Sequence, residues 1–323
     1  MSKIKVVSLF SGIGGFDLGF SKRNFEIIWA NDFDQYCVQT YKRNINNQIH
    51  FGDLEVLKYK IPKHDVLIGG FPCQPFSSLG SQKGFEDKRG GLIFTIIDIL
   101  QKNKTPFFIL ENVKNFINHD KGKTIKIVKE MLEEIGYIVD YKILNSLDFG
   151  IPQRRNRVFI VGYRKTEFKI NSNFIFPEGK KTKKTVFDLL DKEVSEKYFL
   201  SHKIIPTILS KGNQNYKLNP TIDTPIAKTL TATMMKMHRA SQDNYYTDQI
   251  NYEKNVLDKK LKSNIRRLTP NECRKLQGFP NEWVQVVSDA QAYKQFGNAV
   301  TVNVSTAIAA QVELFFKEFL NEK

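Results

Sequence analysis

Residues 4–34 read IKVVSLFSGIGGFDLGFSKRNFEIIWANDFD, and the reading of this stretch decides the fold class. A strand-length apolar run, Val6–Phe10, breaks into Ser11-Gly12-Ile13-Gly14-Gly15-Phe16. A second run, Ile27–Ala30, leads to Asp32, twenty residues beyond Gly12. Glycines directly after a first strand let the backbone turn tightly and approach a ligand at a helix N-terminus. An acid at the end of the second strand can receive ribose hydroxyls. The spacing is not the GxGxxG of a pyrophosphate site, so the glycines alone fit a plain turn as well as a ligand loop. Phe33 adds a flat face for an adenine, and Asp53 and Leu54 fall in the next connection. Phe10, Gly12, Gly14, Asp32, Phe33, Asp53 and Leu54 together suit a nucleoside-containing cofactor without a phosphate cradle. S-adenosyl-L-methionine is such a molecule.

Further apolar runs occur at Val66–Ile68, Phe107–Leu110, Ile138–Leu144 and Val158–Val161. Helix-period stretches separate the runs at Asp34–Asn44, Leu92–Gln101 and Thr124–Ile135, the last stopped at Gly136. This alternation predicts an α/β domain with a mostly parallel sheet and helices on both faces. From about Arg164 to residue 264 the pattern dissolves into Lys, Asn, Thr and Tyr. Thr269-Pro270-Asn271-Glu272 then reads as a capped helix start, with Pro at the first helical position and an acid at the third. Gly297-Asn298-Ala299-Val300 opens the terminal helix, and Val300–Leu320 reads as one long helix. The expected organisation is a large α/β domain, residues 1–165 and 286–323, and a smaller irregular basic domain, residues 166–285.

The strand at Val66 leads into Gly69-Gly70-Phe71-Pro72-Cys73-Gln74-Pro75-Phe76-Ser77. An arbitrary cysteine is more often interior and inert. Prolines on either side of a turn just past a strand favour a cysteine poised at the carboxyl edge of the sheet, where active sites open. Cys37 and Cys273 lie within helical patterns and keep the inert reading. The next strand ends in Glu111-Asn112-Val113, a solvated strand terminus or a catalytic carboxyl facing the same crevice as Cys73. Gln153-Arg154-Arg155-Asn156-Arg157 opens another strand. At period 2, Arg155 and Arg157 share a face, aimed at one anion or carbonyl or forming a solvated basic edge.

In this order, FSGIGGF, ANDFD, GGFPCQPFS, ENV, QRRNR, LTPNECRKLQGFP and YKQFGNAV resemble the motif series of the bacterial DNA (cytosine-5)-methyltransferases. The resemblance covers about residues 4–163 and 265–310. It implies a Rossmann-like, S-adenosylmethionine-dependent methyltransferase domain at 1–165 and 286–323, and a target-recognition domain at 166–285. It implies S-adenosyl-L-methionine as cofactor, S-adenosyl-L-homocysteine as product, and no metal. Cys73 would add to C6 of a cytosine, Glu111 would hold N3 and the exocyclic amine, and Arg155 and Arg157 the O2 side. Pro72, Asn298 and Val300 would join the cofactor residues. Gln74, Ser77 and Ser78 lie in the loop that would close over DNA, with Arg89 a phosphate contact beyond it. Thr229-Leu230 resembles a short signal of these recognition domains that would steady a flipped nucleotide, and Arg239 would read a base edge or contact a phosphate. Two departures stand out: Ser8 where an Asp is frequent, and Asp32 where a Glu is usual. A branch of the family acts on tRNA cytosines, which is the alternative substrate.

Composition narrows the setting. The chain has 323 residues, 41% of them hydrophobic, enough for one large domain or two ordinary ones. With 49 Lys and Arg against 34 Asp and Glu, it carries +15. That excess points to a polyanion such as double-stranded DNA, or to the lysine-rich usage of an AT-rich genome. No apolar run reaches the roughly 18–20 residues of a membrane span, and the N-terminus lacks the pattern of a signal peptide. Three cysteines without a CxxC pair build no disulfide framework. The expectation is a cytoplasmic monomer of bacterial or phage origin. The expectation extends to a stand-alone modification enzyme without an N-terminal regulatory domain, for which a separately acting restriction endonuclease is a candidate partner that the sequence does not establish.

Overall fold

Strands that are apolar without alternation are buried on both faces of a parallel sheet, and such strands build the first half of this chain. The computed structural model describes residues 3–72, 91–168, 173–213 and 216–319. In order come β1 (Ile4–Leu9), α1 (Gly15–Ser21), β2 (Phe25–Asp32), α2 (Gln35–Asn44), β3 (Ile49–Phe51), α3 (Leu54–Leu57) and β4 (Val66–Gly70). Then follow α4 (Gly91–Asn103), β5 (Phe107–Val113), α5 (Asn115–Asn118), α6 (Lys123–Glu134), β6 (Tyr137–Asn145), the two-residue β7 (Gln153–Arg154) and β8 (Asn156–Arg164). Seven of these strands form one sheet in the order β3-β2-β1-β4-β5-β8-β6. The first five are parallel, and β8 runs antiparallel between β5 and β6. Val66–Ile68 and Phe107–Leu110 have no exposed surface. Because β1 lies between β2 and β4, strand order reverses there, and the crevice beyond the carboxyl ends is where ligands of such sheets bind. This is the expected α/β, Rossmann-like fold with a mostly parallel sheet.

The chain forms two units: Met1–Asn145, Asn156–Glu178 and Val302–Lys323 in the first, Ser146–Arg155 and Gly179–Thr301 in the second. The second holds β9 (Phe199–Ser201), α7 (Ile205–Ile208), β10 (Gly212–Asn213), β11 (Tyr216–Lys217), β12 (Ala227–Lys228), β13 (Tyr245–Thr247), α8 (Gln249–Asn255), β14 (Lys262–Arg267), α9 (Pro270–Leu276) and α10 (Asp289–Asn298). Its sheets are short: β13-β14-β9 antiparallel, β10-β11, and β12 beside β7. Arg266 is wholly buried and lies 2.7 Å from Asp248 and 2.8 Å from Glu272. Glu272 also closes the expected capping box, accepting from the Thr269 amide at 2.8 Å while Thr269 Oγ1 accepts from the Glu272 amide at 3.0 Å. The last helix, α11 (Val302–Phe319), belongs to the first unit. There Ser305 donates to the Phe16 carbonyl at 2.6 Å, and Phe315 packs on Phe107, Tyr163 and Phe168 with ring centroids 5.5, 4.8 and 5.0 Å away.

Several expectations differ from what is observed. Residues 166–178 fall in the first unit, and residues 146–155 and 286–301 in the second, where β7 pairs with β12 and α10 packs on α9. Residues 153–157 are not one strand: the Arg155 amide donates to the Gln153 carbonyl at 3.1 Å, and this turn breaks the alternation that put Arg155 and Arg157 on one face. Asn298 closes α10 instead of opening the terminal helix, which starts at Val302. The stretch Asp289–Phe319 is long and apolar enough to cross a bilayer by composition, yet more than half of its most apolar window is buried within the protein, as in a core helix.

Candidate active site

The loop after β1 is built from left-handed residues. Phe10 (φ 51°), Gly12 (φ 55°) and Gly14 (φ 80°) all lie in the region that disfavours side chains. A non-glycine residue held there stores about 1–3 kcal/mol of strain, which persists only where the surroundings enforce it. Asp32 supplies part of that enforcement. Its carboxylate accepts the Gly12 amide on Oδ2 and the Asp34 amide on Oδ1, both at 2.8 Å. A Cβ added to Gly12 would meet nothing within 4 Å, so the loop borders open space. Phe33, one residue past Asp32, is 70% exposed. Asp53 is exposed and caps α3, accepting the Glu55 amide at 2.9 Å, while the Leu54 side chain is buried in the core. An open-sided glycine loop, a carboxylate at its base and a bare aromatic face fit a nucleoside with an uncharged linker better than a diphosphate.

Glu111 lies in the buried part of β5, directly across from Gly70 of β4. Its Oε1 lies 3.0 Å from Arg157 Nε, a pair screened from most solvent. Register places Arg157 opposite Val113, two residues beyond Glu111, so β8 delivers the guanidinium to the carboxylate. The neighbouring Asn112, 2% exposed, donates to the Phe71 carbonyl at 3.1 Å. That bond fixes the chain leaving β4 just before Pro72, which is exposed. Cys73, Gln74, Ser77, Ser78 and Arg89 lie outside the described residues.

In the second unit, Arg155 is 2% exposed and donates to the carbonyls of Leu230, Gly297 and Ala299, each at 2.9 Å. Sequence reasoning placed this arginine beside Arg157; its guanidinium instead braces three backbone carbonyls. Two of them flank Asn298, whose side chain is exposed, while Val300 is buried. A Cβ on Gly297 would fall 2.3 Å from the Thr231 carbonyl, so only glycine lets α10 end against the Thr229–Thr231 segment. Gln153 Oε1 accepts the Leu230 amide at 2.9 Å, and Thr229 Oγ1 donates to the Arg154 carbonyl at 2.7 Å. Asn244 acts as a strand partner for Lys228, accepting its amide at 2.8 Å and donating to its carbonyl at 3.1 Å. Leu230 is 2% exposed and lines, with Thr229, Asn244, Arg267 and Tyr293, a cavity of about 20 Å³, room for roughly one water. Arg239 is exposed at a turn whose carbonyl accepts the Gln242 and Asp243 amides.

Sequence reasoning missed Asn112, Gln153, Asn244 and the buried acid Asp17, because none sits in a pattern that separates it from an ordinary polar residue. The charge is unevenly divided. The second unit holds 23 Lys and Arg against 13 Asp and Glu, so it carries +10 of the +15. Among the described residues, no group of three His, Cys, Asp or Glu side chains is arranged to hold a metal ion.

Residues 4–314 match the family described as C-5 cytosine-specific DNA methylase. The chain is 39% identical to the Type II methyltransferase M.SsoII of Shigella sonnei, over 96% of its own length and 80% of that protein. It is likewise 39% identical to the Type II methyltransferase M.NlaX of Neisseria lactamica, over 96% of each. Among solved structures it resembles the S. pombe Dnmt2 methyltransferase, with TM-score 0.72, 22% identity, and 97% and 99% of the two chains covered. A putative DNA modification methyltransferase encoded within an E. coli prophage gives TM-score 0.69 at 20% identity, covering 98% of this chain and 100% of that one.

Proposed function

Because the chain belongs to the C-5 cytosine-specific DNA methylase family and is a DNA (cytosine-5-)-methyltransferase, we propose that it is the modification enzyme of a Type II restriction–modification system. In this reading it flips a target cytosine out of duplex DNA and works through a covalent Cys73 adduct. The observation that carries the reading is the buried Glu111–Arg157 pair at the end of β5, facing the exit of β4 that leads to Pro72 and Cys73.

The difficulty of the reaction is that C5 of cytosine is a poor nucleophile. Addition of the Cys73 thiolate to C6 breaks the 5,6 double bond and leaves an enamine-like C5, dividing one hard step into two easier ones. A thiolate is required, so positive charge near Cys73 serves the step by lowering the thiol pKa. Glu111 holds N3 and the exocyclic amine and delivers a proton to the ring as charge develops there. Arg157 orients that carboxylate and places positive charge on the O2 side. Arg155 acts at one remove, bracing the Leu230 and Gly297–Ala299 backbone. The Phe10–Gly14 loop, Asp32, Phe33, Asp53, Leu54, Pro72, Asn298 and Val300 would hold S-adenosyl-L-methionine, which would supply an electrophilic methyl group. Loss of the C5 proton and departure of the Cys73 sulfur from C6 then restore the aromatic ring. The target atom is unreachable inside a stacked duplex, so the base is extruded. The second unit's charge suits phosphate contacts with DNA, with Arg239, Thr229, Gln74, Ser77, Ser78 and Arg89 on the nucleic acid.

The test uses duplex DNA with 5-fluorocytosine at the target and cofactor present. C5 then has no proton to lose, so elimination stalls and a denaturation-resistant adduct accumulates. Cys73→Ser forms no adduct and does not methylate, whereas Cys37→Ser and Cys273→Ser retain both properties. An adduct persisting in Cys73→Ser rejects the assignment. Methyl incorporation into tRNA but not duplex DNA would replace the substrate with the RNA alternative.

A further inference from the structure

Asp17, on α1, has no exposed surface. Its Oδ1 accepts the Tyr41 hydroxyl at 2.8 Å and its Oδ2 accepts the Ser8 hydroxyl at 3.0 Å. Ser8 Oγ in turn accepts from Ser11 Oγ at 2.9 Å. The Ser11 amide donates to the Asn31 carbonyl at 2.9 Å, and its own carbonyl accepts the Gly14 amide at 2.8 Å. Ser11 sits between Phe10 and Gly12, both left-handed. At the other end of the loop the Tyr41 ring lies against Gly14, where an added Cβ would come 2.9 Å from Cε2.

A buried carboxylate is expensive to keep ionised. Burial pushes the Asp17 carboxyl up to about 6, with the hydroxyls of Tyr41 and Ser8 opposing the rise. The ionisable groups that face it are Tyr41 from α2 and Asp32 from β2, the second a like charge. Burial together with Asp17 raises the Tyr41 hydroxyl well above its ordinary value, which keeps it protonated and donating. Packing alone would be served by an apolar side chain here. The carboxylate instead grips both ends of a strained loop, through Ser8 and Ser11 at the start and through Tyr41 at Gly14.

We infer that Asp17 is a positioning residue for the cofactor, its carboxylate holding the Phe10–Gly14 loop in its left-handed form so that the Gly12 amide meets Asp32. The inference rests on the reading of that loop as the S-adenosyl-L-methionine site. Calorimetric titration of S-adenosyl-L-homocysteine into the full-length protein tests it. Asp17→Asn should raise Kd about tenfold, the scale of a lost hydrogen bond to a charged group, and Ser8→Ala and Tyr41→Phe about threefold each. Affinity for duplex DNA without cofactor should stay unchanged in all three. Wild-type affinity for S-adenosyl-L-homocysteine should weaken as pH falls from 7 to 5, and Asp17→Asn should lack that dependence between those limits. Wild-type affinity in Asp17→Asn overturns the inference, as does an equal loss in both titrations. If Asp17→Asn does not fold, unchanged Kd values in both Ser8→Ala and Tyr41→Phe overturn it. A wild-type protein that does not bind S-adenosyl-L-homocysteine overturns the cofactor reading itself, whatever Asp17 does.

Discussion

Val66–Ile68 and Phe107–Leu110 at the centre of the first unit need only hydrocarbon neighbours, whereas the second unit buries Arg155 and Arg266, which donate to four backbone carbonyls and two carboxylates between them. Hydrocarbon packing is non-directional and tolerates small shifts. A buried guanidinium tolerates few, since each unmet donor carries the full desolvation penalty. The first unit can therefore be rebuilt around many similar cores. The second depends on a small number of specific bonds, and its two- and three-residue strands add little of their own.

The sharpest way to break that contrast is at Arg266. Arg266→Met leaves the buried Glu272 and the partly buried Asp248 without their cation, and removing one partner of a buried pair costs about 3–5 kcal/mol. Hydrogen exchange resolved by residue should show protection lost across β13, β14 and α9 while β4 and β5 stay protected. Uniform loss across both units would mean that they unfold as one.

A pH effect comes next and lies wholly in the first unit. The Asp17 carboxyl is raised from 3.8 to about 6, so between those values the native state holds a proton that the unfolded chain has released. Its contribution to stability therefore falls as pH rises from about 4 to 6 and is constant above. The size is on the order of 3 kcal/mol. The difference in unfolding free energy between wild type and Asp17→Asn should follow that slope. A difference that is flat with pH would place the carboxyl near its ordinary value.

Smaller effects distinguish the two ligands. Phe33→Ala should weaken S-adenosyl-L-methionine binding by about 1–3 kcal/mol, the scale of lost stacking and burial, and barely change DNA affinity. Equal loss in both titrations would make Phe33 a packing residue despite its exposure. Arg239→Ala acts on the other unit. As a base reader it should cost roughly 1–3 kcal/mol on the cognate site and relax one position. As a phosphate contact it should weaken every sequence alike and lower the salt slope by about one. Competition binding against single-base variants at two salt concentrations separates these results.

The same contrast explains what could be read beforehand. The strands of the first unit were legible because continuous apolar runs bounded by glycine leave little choice, and residues at their carboxyl ends were found with them: Asp32, Glu111 and the approach to Pro72. The Thr269–Glu272 capping box was legible because both its partners lie within four residues. The three-residue β3 was missed because Ile49–Phe51 shows no period. The turn at Arg155 was missed because its cause lies 75 to 144 residues away, in the carbonyls of Leu230, Gly297 and Ala299. Asn298 was given to the wrong helix for a related reason, since Gly297 is shaped by Thr231 and not by its own neighbours. Asp17 carried no signal, for an acid on a short helix is ordinarily solvated.

The packing of Phe315 onto Phe107, Tyr163 and Phe168 has a consequence for synthesis. Roughly 200 residues separate Phe107 from Phe315, and at about 5–20 residues per second the ribosome needs some 10–40 s to cover them. Throughout that interval the aromatic face of the nascent first unit has no α11 to cover it, and the whole second unit is made in the meantime. Completion of the first unit thus comes late in synthesis, after the second unit has been made, and a ribosome stalled before Ser305 would present an apolar, aggregation-prone surface for chaperones to shield.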